Sequence, residues 1–300
     1  MSYLHSFTAG TPQNRKQTPL TIDDIARRAP SALATRPYDA MSAKYTYVPT
    51  VEIIQGLMKS GFQPFSAIES RTRVEEKRGF VKHMLRFRHA DMTQALVVGD
   101  VIPEVIVINS HDGECCFKVI AGLYRLVCSN GLMVSDAEID SISVRHTGNI
   151  LQDVVDGSQR LIGDAQKSLG TVQRWQQLQL TDGERNAFAE SAHTLRFADS
   201  DGKITTPITP AQLLTPRRYA DQGKDLWTTF NVTQENALKG GLSAIRRNEN
   251  RGRVRRVSMR EVKAIDGQTN LNRALWTLAE KMAELKAGAP FIEAEVVQAA

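Results

Sequence analysis

The spacing of hydrophobic residues changes twice along this chain and divides it into three parts. In the first, Thr21-Ile22-Asp23-Asp24 has the form of a capping box, and Pro30 ends the short helix it opens. Residues 35–49, with Pro37, Pro49 and three tyrosines, predict irregular structure. Thr50 stands at the cap of a second helix, with Val51, Ile54, Leu57 and Met58 at helical spacing and Gly61 as its stop. From Phe62 to Ile150 the period falls to two, and Gln63–Ser70 predicts a strand. Val81, His83, Leu85 and Phe87 then alternate with Lys82, Met84, Arg86 and Arg88. That is the pattern of a half-buried antiparallel strand with a basic face toward solvent. Val105–Asn109 and Phe117–Val127 are apolar runs around a polar turn with Asp112-Gly113 at its tip, a hairpin signal. Ile139–His146 alternates once more.

Beyond Asn149 the period is helical. Ile150, Val154, Leu161, Ile162, Ala165 and Leu169 share one face of a stretch that runs to Leu180, and Gly157 and Gly163 weaken it into a bent or double helix. A second capping box, Thr181-Asp182-Gly183-Glu184, opens a helix to Phe197. Further helices are predicted over Pro210–Ala220, Leu226–Leu238 and Asn270–Lys286. The last has a continuous stripe of Leu271, Ala274, Leu275, Leu278, Met282 and Leu285. The expected fold class is α+β: an antiparallel β-meander of four to five strands followed by long helices, with a helical C-terminal part. The expected domains are a flexible arm (1–20), an α+β core (21–198), a loop (199–210), a helical part with a basic segment (211–287) and a loose tail (288–300). No internal repeat is present.

Composition changes this picture little. Hydrophobic residues make up 41% of the chain and charged residues 24%, as in ordinary soluble proteins. The N-terminus lacks a signal-peptide layout, and no apolar run approaches the roughly 20 residues of a membrane span. Three cysteines, two of them adjacent, make a poor disulfide or metal framework and point to a reducing, cytoplasmic location. Neither a cofactor nor a membrane partner is expected.

The distribution of charge is more informative than its total of +5. The stretch from Arg71 to Arg88 holds Arg71, Arg73, Lys77, Arg78, Lys82, Arg86 and Arg88 against two glutamates, a balance of +5. The stretch from Arg246 to Lys263 has a balance of +6, and the remainder of the chain is acidic. Two concentrated basic stretches on an acidic chain point to a polyanion partner. Within the second, Arg246, Arg247, Arg251, Arg253, Arg255, Arg256 and Arg260 surround Gly252, and all are arginine. Guanidinium forks suit bidentate phosphate contacts, whereas mere solubility is served equally by lysine. Both stretches are expected to contact nucleic acid, the second from a loop around Asn248–Gly252; the plain alternative is two solvated or intersubunit segments.

Three stretches carry a resemblance: LYRLVCSNGL (Leu123–Leu132), LWTTFNVTQENALKGG (Leu226–Gly241) and LNRALWTLAEKMAEL (Leu271–Leu285). They resemble an uncharacterised family of phage- and plasmid-encoded proteins described as a domain of unknown function, over roughly residues 45–285. The resemblance implies a mobile-element setting in a bacterial cell and brings no catalytic residues. At the level of element order alone, a meander followed by a long helix resembles phage single-strand annealing proteins, which form rings that bind single-stranded DNA in a basic groove.

Other constellations have plainer explanations. Asn109-Ser110-His111-Asp112 reads as a turn rather than an acid–base group, and His111 with Cys115 lacks further metal ligands. Asn130-Gly131, after Cys128 and Ser129, reads as a turn or helix end. Glu261-Val262-Lys263 matches the end of a metal-dependent nuclease motif, with Asp225 and Asp266 as further carboxylates, but the match is short. Asp136, Glu138 and Asp140 read as a solvated acidic turn. Trp175, Trp227 and Trp276 are expected in the core, as is Phe87, and Phe80 is a lesser candidate for base stacking beside the first basic stretch. The reading that results is a self-associating DNA-binding protein, acting on single-stranded DNA in recombination or annealing and not an enzyme. A divalent-metal nuclease and a host-interaction or anti-defence protein are the alternatives.

Overall fold

The computed structural model describes residues 18–42, 45–90, 101–125, 130–133, 150–247 and 254–288. Strands β1 (Phe62–Glu69), β2 (His83–His89), β3 (Val101–Asn109), β4 (Lys118–Arg125) and β5 (Asn130–Met133) pair in sequence order as one antiparallel sheet. The helices are α1 (Ile22–Arg28), α2 (Thr50–Lys59), α3 (Ile150–Gln177), α4 (Asp182–Phe197), α5 (Pro210–Leu213), α6 (Leu226–Lys239) and α7 (Ile265–Lys286). The α+β class, the meander and the helical C-terminal part are therefore as the alternation predicts.

Register explains which strand residues meet. Leu85, Val107 and Val119 lie abreast, as do Phe87, Val105 and Ala121. This face is buried in the main core with α2, α3, α6 and α7. The opposite face carries Met84, Ile106, Ile108 and Ile120, and Ile265 from the start of α7 packs on it. Because β3 is covered on both faces, its stretch Val105–Ile108 reads as a continuous β-branched run.

Several local expectations change. Pro49, not Thr50, holds the cap position of α2, and Thr50 turns its hydroxyl inward to His83. α3 runs as one helix through Gly157 and Gly163. The helix predicted over Pro210–Ala220 lasts one turn, because Pro216 brings no amide hydrogen to continue it. Asn130 and Gly131 pair with Arg125 and Tyr124 as strand residues rather than forming a turn. Ile139–His146 lies outside the described residues.

α6 is the centre of the helical half. Every residue from Leu226 to Ala237 is buried. Trp227 and Phe230 meet Trp175 of α3, whose ring lies 4.6 Å from that of Trp276 of α7. The core placement expected of the three tryptophans holds. Polar side chains on so buried a helix must find partners. Gln234 donates to Asn272 at 2.7 Å, Glu235 pairs with Arg218 and Lys239, and Asn236 donates to the carbonyls of Leu213 and Thr215.

The helix ends at Gly240, whose φ of 66° suits only glycine, and a Cβ there would lie 2.6 Å from the Met259 carbonyl. That close approach starts a ladder: Gly241 donates to Met259 O at 2.9 Å, and Met259 donates to Leu242 O at 2.7 Å. The ladder continues as β6 (Ser243–Arg247) paired with β7 (Val254–Ser258), a separate two-stranded antiparallel ribbon. The loop expected around Asn248–Gly252 lies outside the described residues, and the arginine-rich residues on either side of it are strand.

Candidate nucleic-acid interface

In the first basic stretch, five of the seven cations are matched by carboxylates. Lys77 Nζ lies 2.6 Å from Glu114 and 3.7 Å from Asp112. Arg78 pairs with Glu75 at 3.0 Å, and Lys82 with Asp266 at 2.6 Å. Glu104 on β3 accepts from Arg86 at 2.9 Å and from Arg88 at 2.7 Å. The guanidinium of Arg88 also stacks between the rings of Phe65, at 4.2 Å, and Tyr124, at 3.8 Å. Arg86 and Arg88 are only 7% and 2% exposed, which corrects the expected solvent-facing basic face of β2. The physical reason is position: β2 is flanked by β1 and β3, and Glu104 makes an internal ion cluster possible where alternation alone suggests a wet surface.

Arg71 and Arg73 remain exposed, with no ion pair among the described residues. With Arg28, Arg78 and Glu69, Arg71 lines an open depression of about 720 Å³. Phe80 is half-buried, with its ring 5.8 Å from that of Tyr38 and 5.4 Å from the Arg36 guanidinium. It is packed by the chain itself.

The second stretch differs. On the ribbon, Arg246 sits directly opposite Arg255, Ile245 opposite Arg256, and Arg247 opposite Val254. The pleat therefore puts Arg246 and Arg255 on one face, and Ile245, Val254 and Arg256 on the other. Arg246 donates to the Thr205 carbonyl, and Arg256 donates to Ser243 Oγ at 3.1 and 2.9 Å. Both acceptors are neutral. Among the described residues, no carboxylate pairs with Arg246, Arg255, Arg256 or Arg260, and all four are exposed. Arg251 and Arg253 lie outside the description. The two stretches are joined indirectly: the Lys82–Asp266 pair ties the start of β2 to the start of α7, which follows the ribbon.

The nuclease residues do not converge. Glu261 and Lys263 are exposed, Asp266 is engaged by Lys82, and Asp225 caps α6 by accepting from Thr228 N at 2.8 Å. Among the described residues no cluster of three or more His, Cys, Asp or Glu is placed to hold a metal. Cys128, Ser129, Asp136, Glu138 and Asp140 lie outside them.

The His111-Asp112-Gly113 turn forms as expected, with Gly113 at φ 78° and Asp112 Oδ1 accepting from Glu114 N at 3.1 Å. Beneath it is a buried group that the sequence did not reveal. His83 Nδ1 faces the Val81 carbonyl at 3.0 Å, which leaves Nε2 to accept from the Thr50 hydroxyl at 2.9 Å. Asn109 Nδ2 donates to the same hydroxyl at 2.9 Å and to Val48 O at 3.0 Å, and His111 Nε2 lies 3.4 Å from it. Burial pushes His83 down to about 3 and His111 down to about 4, so both rings are neutral. This group joins α2 to β2 and β3 and does not open to solvent.

The residues missed by reading the sequence are Glu104, Ile245 and Val254. Glu104 looked like an interruption of an apolar run. A mirrored sequence, Ser-Ala-Ile-Arg-Arg before residues 248–253 and Val-Arg-Arg-Val-Ser after them, was the available signal for the ribbon.

Comparison with known proteins adds kinship. The family described as a domain of unknown function, DUF932, matches residues 37–276. The UPF0380 protein YfjQ of Escherichia coli (strain K12) is 37% identical over 268 residues, covering 89% of this chain and 93% of that protein. The UPF0380 protein YafZ of the same strain is 37% identical over the same shares. No solved structure matches the chain at a significant level.

Proposed function

The chain belongs to the DUF932 family, and from that footing we propose that it binds DNA by capturing the phosphate backbone with the arginines of its β6–β7 ribbon. One observation carries the proposal: exposed guanidinium groups at Arg246, Arg255 and Arg256 have no carboxylate partner among the described residues, while the other basic stretch is largely neutralised from within. Arg246 and Arg255 even stand directly opposite each other. Like charges in that position are destabilising, and a phosphate between them would remove the repulsion. The family supplies no activity that would compete with this reading.

Single-strand annealing would require exposed aromatic platforms as well. Trp175, Trp227, Phe230 and Trp276 belong to the core and, among the described residues, a single aromatic ring, Tyr219, is largely exposed, so the proposal is kept to backbone capture. The test is fluorescence anisotropy of labelled DNA at two salt concentrations, comparing the wild type with an Arg246→Ala/Arg255→Ala/Arg256→Ala variant. The variant is expected to lose at least about tenfold in affinity, with a salt slope shallower by about 0.9 for each phosphate contact removed. Unchanged affinity and slope would overturn the proposal. Size-exclusion chromatography with and without DNA tests the proposed self-association.

A further inference from the structure

We infer that the ribbon's ligand is the groove of duplex B-form DNA, rather than an extended single strand; this rests on the backbone-capture reading above and specifies its substrate. The first support is shape. A two-stranded antiparallel ribbon is one of the few elements that a DNA groove admits, the major groove being about 12 Å wide. The ribbon is a sheet of its own, joined to the fold through the Gly241–Met259 ladder at its base. The deep, narrow major groove of A-form RNA does not accept such an element, which separates DNA from RNA.

The second support is the chemistry of the two faces. One pairs Arg246 with Arg255, with the small apolar pair Ala244–Val257 nearer the base of the ribbon. The other sets Ile245, 69% exposed, diagonally beside Val254, 57% exposed, with Arg256 next in register. Two solvated β-branched side chains between arginines have no role in tracking a phosphate chain. Against a groove they have one: deoxyribose walls, thymine methyl groups and base steps are the apolar surfaces of duplex DNA.

The third support is what the ribbon lacks. Its described residues include no aromatic ring on which an unpaired base would stack, and the large aromatic cluster of α3, α6 and α7 is buried. Apolar side chains flanked by guanidiniums are suited to a groove wall and poorly suited to a lone base.

The decisive experiment compares one sequence as a single strand and as a duplex, using the full chain and an Ile245→Ser/Val254→Ser variant. Both substituted positions are solvent-exposed, and circular dichroism checks that the fold is retained. The wild type is expected to bind the duplex at least about tenfold more tightly than the single strand. The variant is expected to lose about three- to tenfold of duplex affinity with an unchanged salt slope, because phosphate contacts persist, and to bind the single strand as before. Equal wild-type affinity for the two forms, or a duplex affinity unaffected by Ile245→Ser/Val254→Ser, would overturn the groove assignment. Backbone capture would then still stand, provided that the triple arginine variant loses binding. Binding to neither form would overturn both.

Discussion

Between Arg71 and Arg88, Lys77 meets Glu114, Arg78 meets Glu75, Lys82 meets Asp266, and Arg86 and Arg88 share Glu104. Between Arg246 and Arg260, Arg246 and Arg256 meet a backbone carbonyl and a serine hydroxyl, and Arg255 meets no acid among the described residues. The two stretches have nearly the same charge balance. What separates them is position in the fold. β2 lies second in a five-stranded sheet, where an unpaired charge would be prohibitively costly, so Glu104 of β3 meets its arginines, while Asp266 of α7 and Glu114 of the β3–β4 turn meet Lys82 and Lys77 ahead of it. Among the described residues the ribbon has no third strand, and its exposed arginines meet no acid. Charge density read along a chain measures neither exposure nor compensation, and those two properties decide whether cations act in folding or in binding.

The comparison breaks most visibly at Glu104. Its carboxylate is fully buried between two arginines, so Glu104→Gln leaves two guanidinium groups without their shared anion. A loss of about 3–5 kcal/mol in unfolding free energy is expected from urea denaturation. Replacing Glu104, Arg86 and Arg88 together by apolar residues should recover much of that loss, and DNA affinity per folded molecule should not change. A large affinity loss in that triple variant would place Arg86 and Arg88 back in the interface.

Much of this architecture was legible in the sequence. Capping boxes at Thr21 and Thr181 mark α1 and α4 because hydroxyl and acid sit at the spacing the helix start requires. The period-two stretch marks the meander for the same kind of reason, since sheet faces alternate by geometry. What was not legible were contacts between distant residues. Glu104 and Arg88 pair only after β3 folds beside β2. Thr50 meets His83 only when α2 is docked on the sheet, so its cap-like context misled. The ribbon was hidden because its strands are short and arginine-rich, and a solvated strand lacks the apolar face that alternation detects.

Acid should separate the two regions further, because buried His83 and His111 lie with the sheet. Both have folded pKa values below the usual 6.5, at about 3 and about 4, with burial as the main cause. The unfolded chain therefore binds protons first. Stability is complete above about pH 6.5 and declines as pH falls toward those folded values, by about 1.4 kcal/mol per pH unit for each histidine. Unfolding measured at pH 7 and pH 5 should show a loss of about 2 kcal/mol per ring. His111→Asn should remove its share of the slope. The lowered carboxylates Asp182 and Glu235 act only further down in pH.

A smaller effect is expected where the regions touch. Lys82 is mostly covered, but Asp266 is 69% exposed, so their pair is screened on one side. Lys82→Ala and Asp266→Ala should each cost under about 1 kcal/mol, and a double-mutant cycle should give a coupling of about 0.5 kcal/mol. A coupling of several kcal/mol would mean that ribbon and sheet fold as one unit, and the contrast drawn between them would lose its force.

The smallest expected effect is the most discriminating. Arg246→Ala/Arg255→Ala/Arg256→Ala removes three exposed guanidinium groups whose recorded partners are neutral. It also removes the repulsion between Arg246 and Arg255. Unfolding free energy should therefore stay within about 0.5 kcal/mol of the wild type, with any shift toward greater stability. The same number of charges taken from Arg86, Arg88 and Lys82 should destabilise the sheet. A marked loss of stability in the ribbon variant would mean that these arginines serve the fold, and the claim that their charge awaits a partner would fail before any DNA is added.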